Sequence, residues 1–153
     1  MTRLLLIAVL LWPGLAAAQD SPPPRPLALA YDALRDGDWT TAVRLAERDG
    51  PAALALVEWH RLRAGRGTPD EVLSFLRDHA DWPGLPYLRR QSEEAFADDA
   101  SDEQVLRFFA DHTPRTAKGA LRHARALTRA GEAGAAEATL VLAWRTLRMS
   151  DAM

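Results

Sequence analysis

The chain repeats itself, and the repeat limits the folds open to it. Residues 72–79 read VLSFLRDH, and residues 105–112, 33 positions later, read VLRFFADH. Ahead of each stretch a hydroxyl residue is followed three positions on by Glu or Gln, in Thr68–Glu71 and Ser101–Gln104. This is the capping-box pattern, in which each side chain bonds the other residue's backbone amide at a helix start. A period near 33 residues is typical of stacked helical pairs, which need neighbours to cover their apolar faces.

The rest of the chain also favours helices. Segments of helix-forming residues are separated by Gly, Pro or Asp, and no stretch alternates polar and β-branched residues as a strand does. The short links at 37–39 and 131–133 predict antiparallel neighbours. We therefore predict an all-α fold, an α-solenoid or superhelix of antiparallel helical hairpins. Its expected helices are Leu27–Arg35, Thr40–Arg48, Ala52–Ala64, Pro69–His79, Leu85–Ala97, Asp102–His112, Ala117–Ala130 and Ala133–Arg148.

The spacing of apolar residues predicts which faces are covered. Residues 72–76 place their large apolar side chains on one side of a helix, and residues 105–109 repeat that stripe. Leu76 and Phe109 are therefore expected to be buried at equivalent positions. In Ala52–Ala64 the large apolar residues spread around most of the circumference, which predicts an inner helix with neighbours on several sides.

The N-terminus resembles an export signal. Arg3 precedes an apolar run, and three alanines at 16–18 precede Gln19. We predict a cleaved signal peptide at 1–18, because the apolar run is too short for a membrane-spanning helix. A proline-rich linker at 19–26, a helical-repeat domain at 27–148 and a tail at 149–153 follow. The mature protein is then expected in the periplasm, with no membrane attachment. Because the chain has no cysteine, packing alone must hold the fold.

Composition and histidine spacing exclude several classes of site. The chain has 19 basic and 21 acidic residues, which gives no reason to expect a nucleic-acid partner. His60, His79, His112 and His123 show no metal-binding spacing, so we predict no metal and no cofactor. His79 and His112 fall at equivalent helix C-termini, where a partly protonated imidazole would favour the negative end of the helix dipole.

Two runs of charge are candidate sites. The acidic run could supply the paired carboxylates of a glycosidase, but a catalytic acid needs an apolar pocket, and we favour solvated link residues. Its members are Glu93, Glu94, Asp98, Asp99, Asp102 and Glu103. The basic run lies along one face of one helix, where it could hold an anionic polymer, pair with the acidic run or face solvent. This candidate ligand face comprises Lys118, Arg122, Arg125 and Arg129.

Four tryptophans invite a sugar-binding interpretation. Indole rings can stack on sugars, but in an alanine-rich helical stack they more often fill gaps between hairpins, which is what we expect here. They are Trp39, Trp59, Trp82 and Trp144. No glycine-rich phosphate loop, nucleophile elbow or catalytic cysteine is present in the sequence, so we name no catalytic residue.

Three passages together resemble the N-terminal helical region of soluble lytic murein transglycosylases. They are DWPGLPYLRRQSEEAF at 81–96, PRTAKGALRHARAL at 114–127 and AWR at 143–145. The resemblance implies a curved superhelix, which in that family precedes a lysozyme-like domain with a catalytic Glu-Ser pair. This sequence has no Glu-Ser pair, since Ser92-Glu93 is the reverse order. Catalysis therefore does not carry over.

Two functional hypotheses follow. The first is a periplasmic scaffold related to peptidoglycan lytic transglycosylases, without the catalytic domain, that holds peptidoglycan or positions a missing C-terminal catalytic domain. The second is a secreted helical-repeat adaptor, similar to tetratricopeptide proteins, that binds a protein partner. The sequence leaves open whether the chain is part of a longer enzyme or stands alone.

Overall fold

The protein is all-α over the residues that the structure describes. This computed structural model describes residues 25–98 and 100–147, with the backbone alone at position 98. Within these ranges there are eight helices, no strand, and no helix long and apolar enough to cross a bilayer. The predicted signal peptide, linker residues 19–24 and tail lie outside them. The helices are α1 Pro26–Arg35, α2 Trp39–Asp49, α3 Pro51–Arg63, α4 Pro69–Asp78, α5 Leu85–Asp98, α6 Asp102–Phe108, α7 Ala117–Arg129 and α8 Ala133–Thr146.

Both predicted capping boxes are present. The Thr68 hydroxyl accepts from the Glu71 amide, and the Glu71 carboxylate accepts from the Thr68 amide at 2.8 Å. Ser101 and Gln104 make the same pair of bonds at the start of α6. Each box satisfies amides that an α-helix leaves without an internal partner. The sequence repeat therefore corresponds to two helices that begin in the same way.

Most predicted helix boundaries differ from the observed ones by one or two residues, and two of the differences have a clear physical cause. Helix α1 begins at Pro26, which we assigned to the linker, because proline has the right φ angle for a first helical turn and needs no amide partner there. Helix α6 ends at Phe108 and not at His112. Pro114 disfavours helical geometry at Thr113, and the chain leaves the helix before it reaches that residue. The turn places the His112 ring 4.8 Å from the Phe108 ring.

Glycine makes two of the tight turns possible. Gly37 has a φ of 77° between α1 and α2, and Gly131 has a φ of 87° between α7 and α8. Side chains other than glycine rarely adopt these left-handed angles. Each turn folds one helix back on the previous one, and α1 packs on α2 as α7 packs on α8. These two hairpins confirm the prediction drawn from the short links.

The helices contact one another in an ordered series. Helix α3 packs on α2 and also contacts both α1 and α5, and α5 contacts α7. On the other side, α4 contacts α6. Helix α3 thus has α1, α2 and α5 as neighbours, which confirms it as an inner helix. Helix α8 packs on α7 at the end of the series.

Two cores with different side chains support this arrangement. The buried residues in the core of α1 to α3 are five alanines and Val57, and four leucines and Val43 pack against them partly buried. The core from α3 to α7 is built from large residues, including Phe75, Phe96 and Phe108. Leu76 and Phe109 both belong to it and are 8% and 3% exposed, so their predicted burial is confirmed. Small side chains let helices approach closely, whereas the aromatic rings fill wider gaps.

We expect Phe109→Ala to lower the free energy of unfolding by about 3–5 kcal/mol, because it removes a buried ring and leaves a cavity. Chemical denaturation monitored by circular dichroism measures the change. Leu29→Ala is the control, since Leu29 is 40% exposed on α1. Its loss is expected to stay below about 1 kcal/mol. A similarly small loss for Phe109→Ala would contradict the burial of this ring.

Candidate functional site

The proposed basic ligand face is largely engaged within the fold. The Arg122 guanidinium donates to the Asp102 carboxylate at 2.6 Å and to the Ala100 carbonyl at 2.7 Å, and its side chain is only 13% exposed. Arg129 reaches the same carboxylate at 3.1 Å, and Lys118 pairs with Glu94. The hydrogen bonds from Arg122 and then Arg129 hold the pKa of Asp102 below its usual value. Three of the four positive charges therefore connect α7 to the acidic run, one of the alternatives that the sequence left open.

Arg125 is the exception on this face. It is exposed, and it forms no ion pair with any residue whose side chain the structure describes. Arg125 lies on the same side of α7 as Arg122, because residues three apart on a helix share a face. A single surface charge is a weak basis for holding an anionic polymer.

Our interpretation of the acidic run as solvated link residues is wrong for Glu93. Its side chain is 0% exposed, whereas Glu94 beside it and Glu103 are exposed. The side chains of Asp98 and Asp99 lie outside the described part of the structure. Glu93 therefore has the desolvated environment that a catalytic acid requires, and its contacts decide whether it can act as one.

The Glu93 carboxylate closes the start of α7. It accepts hydrogen bonds from the Arg115 amide at 2.7 Å, the Thr116 amide at 2.8 Å and the Thr116 hydroxyl at 2.5 Å. The same hydroxyl accepts from the Gly119 amide at 3.0 Å as the N-cap of α7. A side chain on Gly119 would overlap the carboxylate, so glycine is needed for this approach.

This geometry is structural. Burial raises the pKa of Glu93, and the hydrogen bonds from Thr116 and Arg115 oppose that rise. Both carboxylate oxygens are already bound by groups of the chain itself, and none of the side chain reaches solvent. A general acid must reach the substrate atom that it protonates, which Glu93 does not do. Its chemistry is that of an anion bound at a helix N-terminus.

His112 is held as a neutral ring, contrary to the helix-dipole role that we predicted. Burial, followed by the nearby Arg89 charge, lowers its pKa to about 4. Arg89 lies 3.2 Å from Nδ1, where an arginine can only donate, so this nitrogen carries no proton. His79 does end its helix, as the C-cap of α4. Both imidazoles pack against the phenylalanine four residues earlier, at 4.5 Å for His79 and 4.8 Å for His112.

His112 and His123 border a cleft of about 470 Å³ between residues 109–115 and α8. Their ring centroids lie 5.3 Å and 4.8 Å from that of Phe109. Burial lowers the pKa of His123 as well. Neither His112 Nε2 nor His123 Nδ1 has a hydrogen-bond partner in the described residues, and no group of three metal-ligating side chains occurs among them. The cleft therefore offers two neutral imidazoles and no metal site.

A second surface feature brings two of the tryptophans together. The Trp59 and Trp82 rings meet edge to face, 6.2 Å apart, and both are half-buried, so they fill a gap between helices as predicted. Trp59 Nε1 donates to the Pro83 carbonyl at 3.1 Å, which fixes the turn before α5. Together with Leu56 and Asp81 these residues line a shallow cavity. The turn is part of the DWPG sequence that carries the family resemblance.

Arg63 completes this surface, which we call the aromatic shelf and define by Trp59, Arg63, Trp82 and Tyr87. The Arg63 guanidinium carbon lies 4.2 Å from the Trp59 ring centroid and 5.2 Å from that of Tyr87. Tyr87 is 48% exposed. Arg63 pairs with no carboxylate in the described side chains, and its Nε has no hydrogen-bond partner there. The aromatic rings thus hold a cation at the surface without neutralising it.

Trp144 does not fill a gap. It is 72% exposed on α8, beside exposed Leu140, Val141 and Leu142. Trp39 is half-buried at the start of α2. The expectation that the large aromatic residues fill gaps between hairpins is therefore wrong for Trp144, because no element of the described residues packs on that side of α8.

Compared with protein-family models, with curated proteins and with solved structures, the chain matches none of them.

Sequence analysis missed the roles of Glu93 and Arg63, for different reasons. Glu93 lies beside Leu88, Ser92 and Phe96 on α5, which are all buried. Its position next to them was the sequence signal for its own burial. Its three donors, however, belong to residues more than twenty positions away. The sequence signal for Arg63 was its position four residues after Trp59 on one helix, but Tyr87 reaches it only when α3 and α5 pack together.

Glu93→Ala is expected to lower the free energy of unfolding by about 2–4 kcal/mol, since it leaves the Arg115 and Thr116 amides without their acceptor. Glu94→Ala is the matched control on the same helix. Glu94 is exposed and pairs with Lys118, so its loss is expected to stay within about 0.5 kcal/mol. Denaturant titration of both variants gives the comparison. Equal losses would show that Glu93 is not the capping anion described here.

The lowered pKa of His112 makes stability depend on pH. The unfolded chain gains a proton on this ring near pH 6.5, whereas the folded chain resists it down to about pH 4. The free energy of unfolding therefore falls as the pH is lowered from 6.5 towards 4. We expect His112 to contribute about 1–2 kcal/mol of this fall, less than the full shift implies because solvent screens a half-buried ring.

His112→Gln isolates that contribution, since it removes the titrating ring. Thermal melting at a series of pH values between 7.5 and 4 is expected to give a flatter profile for the variant. Opposing contributions, such as the raised pKa of Glu93, remain in both proteins and cancel in the comparison. Parallel profiles would show that the ring is not held neutral.

Proposed function

We propose that the chain is a non-catalytic helical scaffold of the kind that lytic murein transglycosylases carry ahead of their catalytic domain. It holds peptidoglycan in the periplasm and cleaves none. The successive contacts of α1, α3, α5 and α7, with α4 on α6 beside them, support a solenoid built from stacked hairpins. The environment of Glu93 supports the absence of cleavage by that residue, because its buried carboxylate is bound by three donors.

The observation that carries the proposal is the unpaired Arg63 guanidinium of the aromatic shelf. Aromatic side chains offer faces for sugar rings, and a cation held between them suits the carboxylates of peptidoglycan stem peptides. Asp81, exposed at the same cavity, adds an acceptor for sugar hydroxyl groups. We propose the aromatic shelf as the ligand face in place of the basic run on α7. Three of the four charged side chains in that run form ion pairs within the fold.

A sacculus pull-down tests the proposal. We expect Arg63→Glu and Tyr87→Ala each to weaken retention on purified sacculi at low salt by about threefold to tenfold. High salt should weaken retention of the wild-type chain as well, since screening reduces contacts between exposed charges. Supernatants are expected to contain no 1,6-anhydromuropeptides.

Arg125→Glu is the matched control, because Arg125 is also an arginine without an ion pair in the described side chains. It is expected to bind like the wild type, as is Arg122→Glu/Arg125→Glu if it remains folded in a thermal melt. Unchanged retention of the two shelf variants would contradict the proposal. Loss confined to the α7 variants would assign the ligand face to the basic run.

The alternative function is a secreted helical-repeat adaptor that binds a protein. The observation that favours it is the exposed apolar surface of α8, with Trp144 at its edge, since patches of this kind commonly mark protein contacts. An adaptor would not be retained on sacculi in the pull-down. Substitutions on the exposed surface of α8 would weaken its binding to the protein partner.

A further inference from the structure

Helix α8 has an outer face that nothing in the described chain covers. Of the described helices, α7 is the one on which it mainly packs, and Ala136 and Ala143 are its buried residues. At 100° per residue the opposite side presents Gly134, Ala138 and Val141, with Leu142 and Trp144 at its edges. Val141, Leu142 and Trp144 are 47%, 45% and 72% exposed. A helix of 14 residues thus leaves its larger apolar side chains in solvent.

The charges on this face are arranged symmetrically. Glu137 and Arg145 lie four residues before and four residues after Val141, on one ridge of the helix. Both are exposed, and neither forms an ion pair with any described side chain. They are the only charged residues within α8. The other positions of the helix are apolar, glycine or threonine.

Such a ridge is complementary to an inverted copy of itself. When two identical helices pack antiparallel with the four-residue ridges aligned, Val141 meets Val141 of the second copy at the two-fold axis. Glu137 of each helix then lies next to Arg145 of the other, so two opposite-charge pairs flank an apolar centre. A parallel pairing would set like charges side by side.

Gly134 is consistent with a close approach at this face. A Cβ atom at this position would meet nothing within 4 Å in the chain itself. Gly134 lies in the first turn of α8, so no side chain projects from the face at that end of the helix.

We propose that the chain forms an antiparallel homodimer through α8, centred on Val141 and aligned by Glu137 and Arg145. This inference is independent of the aromatic shelf, which lies on α3 and α5. A single pair of short helices buries less area than most stable dimers do, so we expect a dissociation constant of about 10–100 μM. The occupant is a second copy because the charge pattern of α8 is self-complementary.

Sedimentation velocity tests the pairing by charge reversal. The wild-type chain is expected to shift from monomer to dimer between about 5 and 500 μM. Glu137→Arg and Arg145→Glu are each expected to weaken the dimer about tenfold, since two attractive pairs become repulsive. An equimolar mixture of the two variants should restore dimerisation, because both pairs are again of opposite charge in the heterodimer.

Glu132→Arg is the control, as it changes the net charge as Glu137→Arg does but lies at the N-cap of α8, outside the ridge. Circular dichroism melting checks that each variant folds. A wild-type chain that stays monomeric over the whole range overturns the proposal and leaves α8 to another partner. Single variants that dimerise like the wild type, or a mixture that does not recover, overturn it too.

Cysteine cross-linking supplies an independent test of the two-fold centre. The chain has no cysteine, so each introduced thiol is the only one present. Val141→Cys is expected to give a disulfide-linked dimer under mild oxidation, because only a residue at the axis meets its own copy closely enough. Ala135→Cys, exposed elsewhere on α8, should stay monomeric. The reverse result would place the axis elsewhere and overturn the antiparallel arrangement.

Discussion

The Glu93 carboxylate is the interaction on which the second half of the fold depends. It brings an anion from α5 to the amides of Arg115 and Thr116 at the start of α7, in a place from which water is excluded. A buried charge is stable only when its partners are fully in place, so this contact fixes where α7 begins. Helices α6 and α8 both pack on α7 and take their positions from it.

The basic side chains that the structure describes fall into two sets, those that form ion pairs within the fold and those that do not. Arg122 and Arg129 neutralise Asp102, and Lys118 pairs with Glu94, so charges that look like a ligand face in the sequence connect α7 to the segment around α5 and α6. Arg63 is different, because its neighbours are the rings of Trp59 and Tyr87. Aromatic rings attract a cation without cancelling its charge, which leaves it available to an external anion.

Packing also changes along the chain. The alanines of α1 to α3 allow close contact between helices but bury little area per residue, whereas the phenylalanines of α4, α5 and the end of α6 bury much more. At the far end, α8 uses two alanines to contact α7 and exposes its larger side chains. The large apolar side chains of α8 are therefore available for association. The contact with α7 does not need them, because alanines make it.

The sequence by itself determined the features that depend on neighbouring residues. Helix starts at Thr68 and Ser101, left-handed turns at Gly37 and Gly131 and the buried stripe ending at Phe109 all follow from local hydrogen bonds, allowed φ angles and helical spacing. Only the tertiary structure decided that Glu93 is buried, that His112 is neutral and that Arg63 is unpaired. Desolvation and pairing depend on which distant groups arrive at a side chain, and positions more than twenty residues apart in sequence carry no local sign of that meeting.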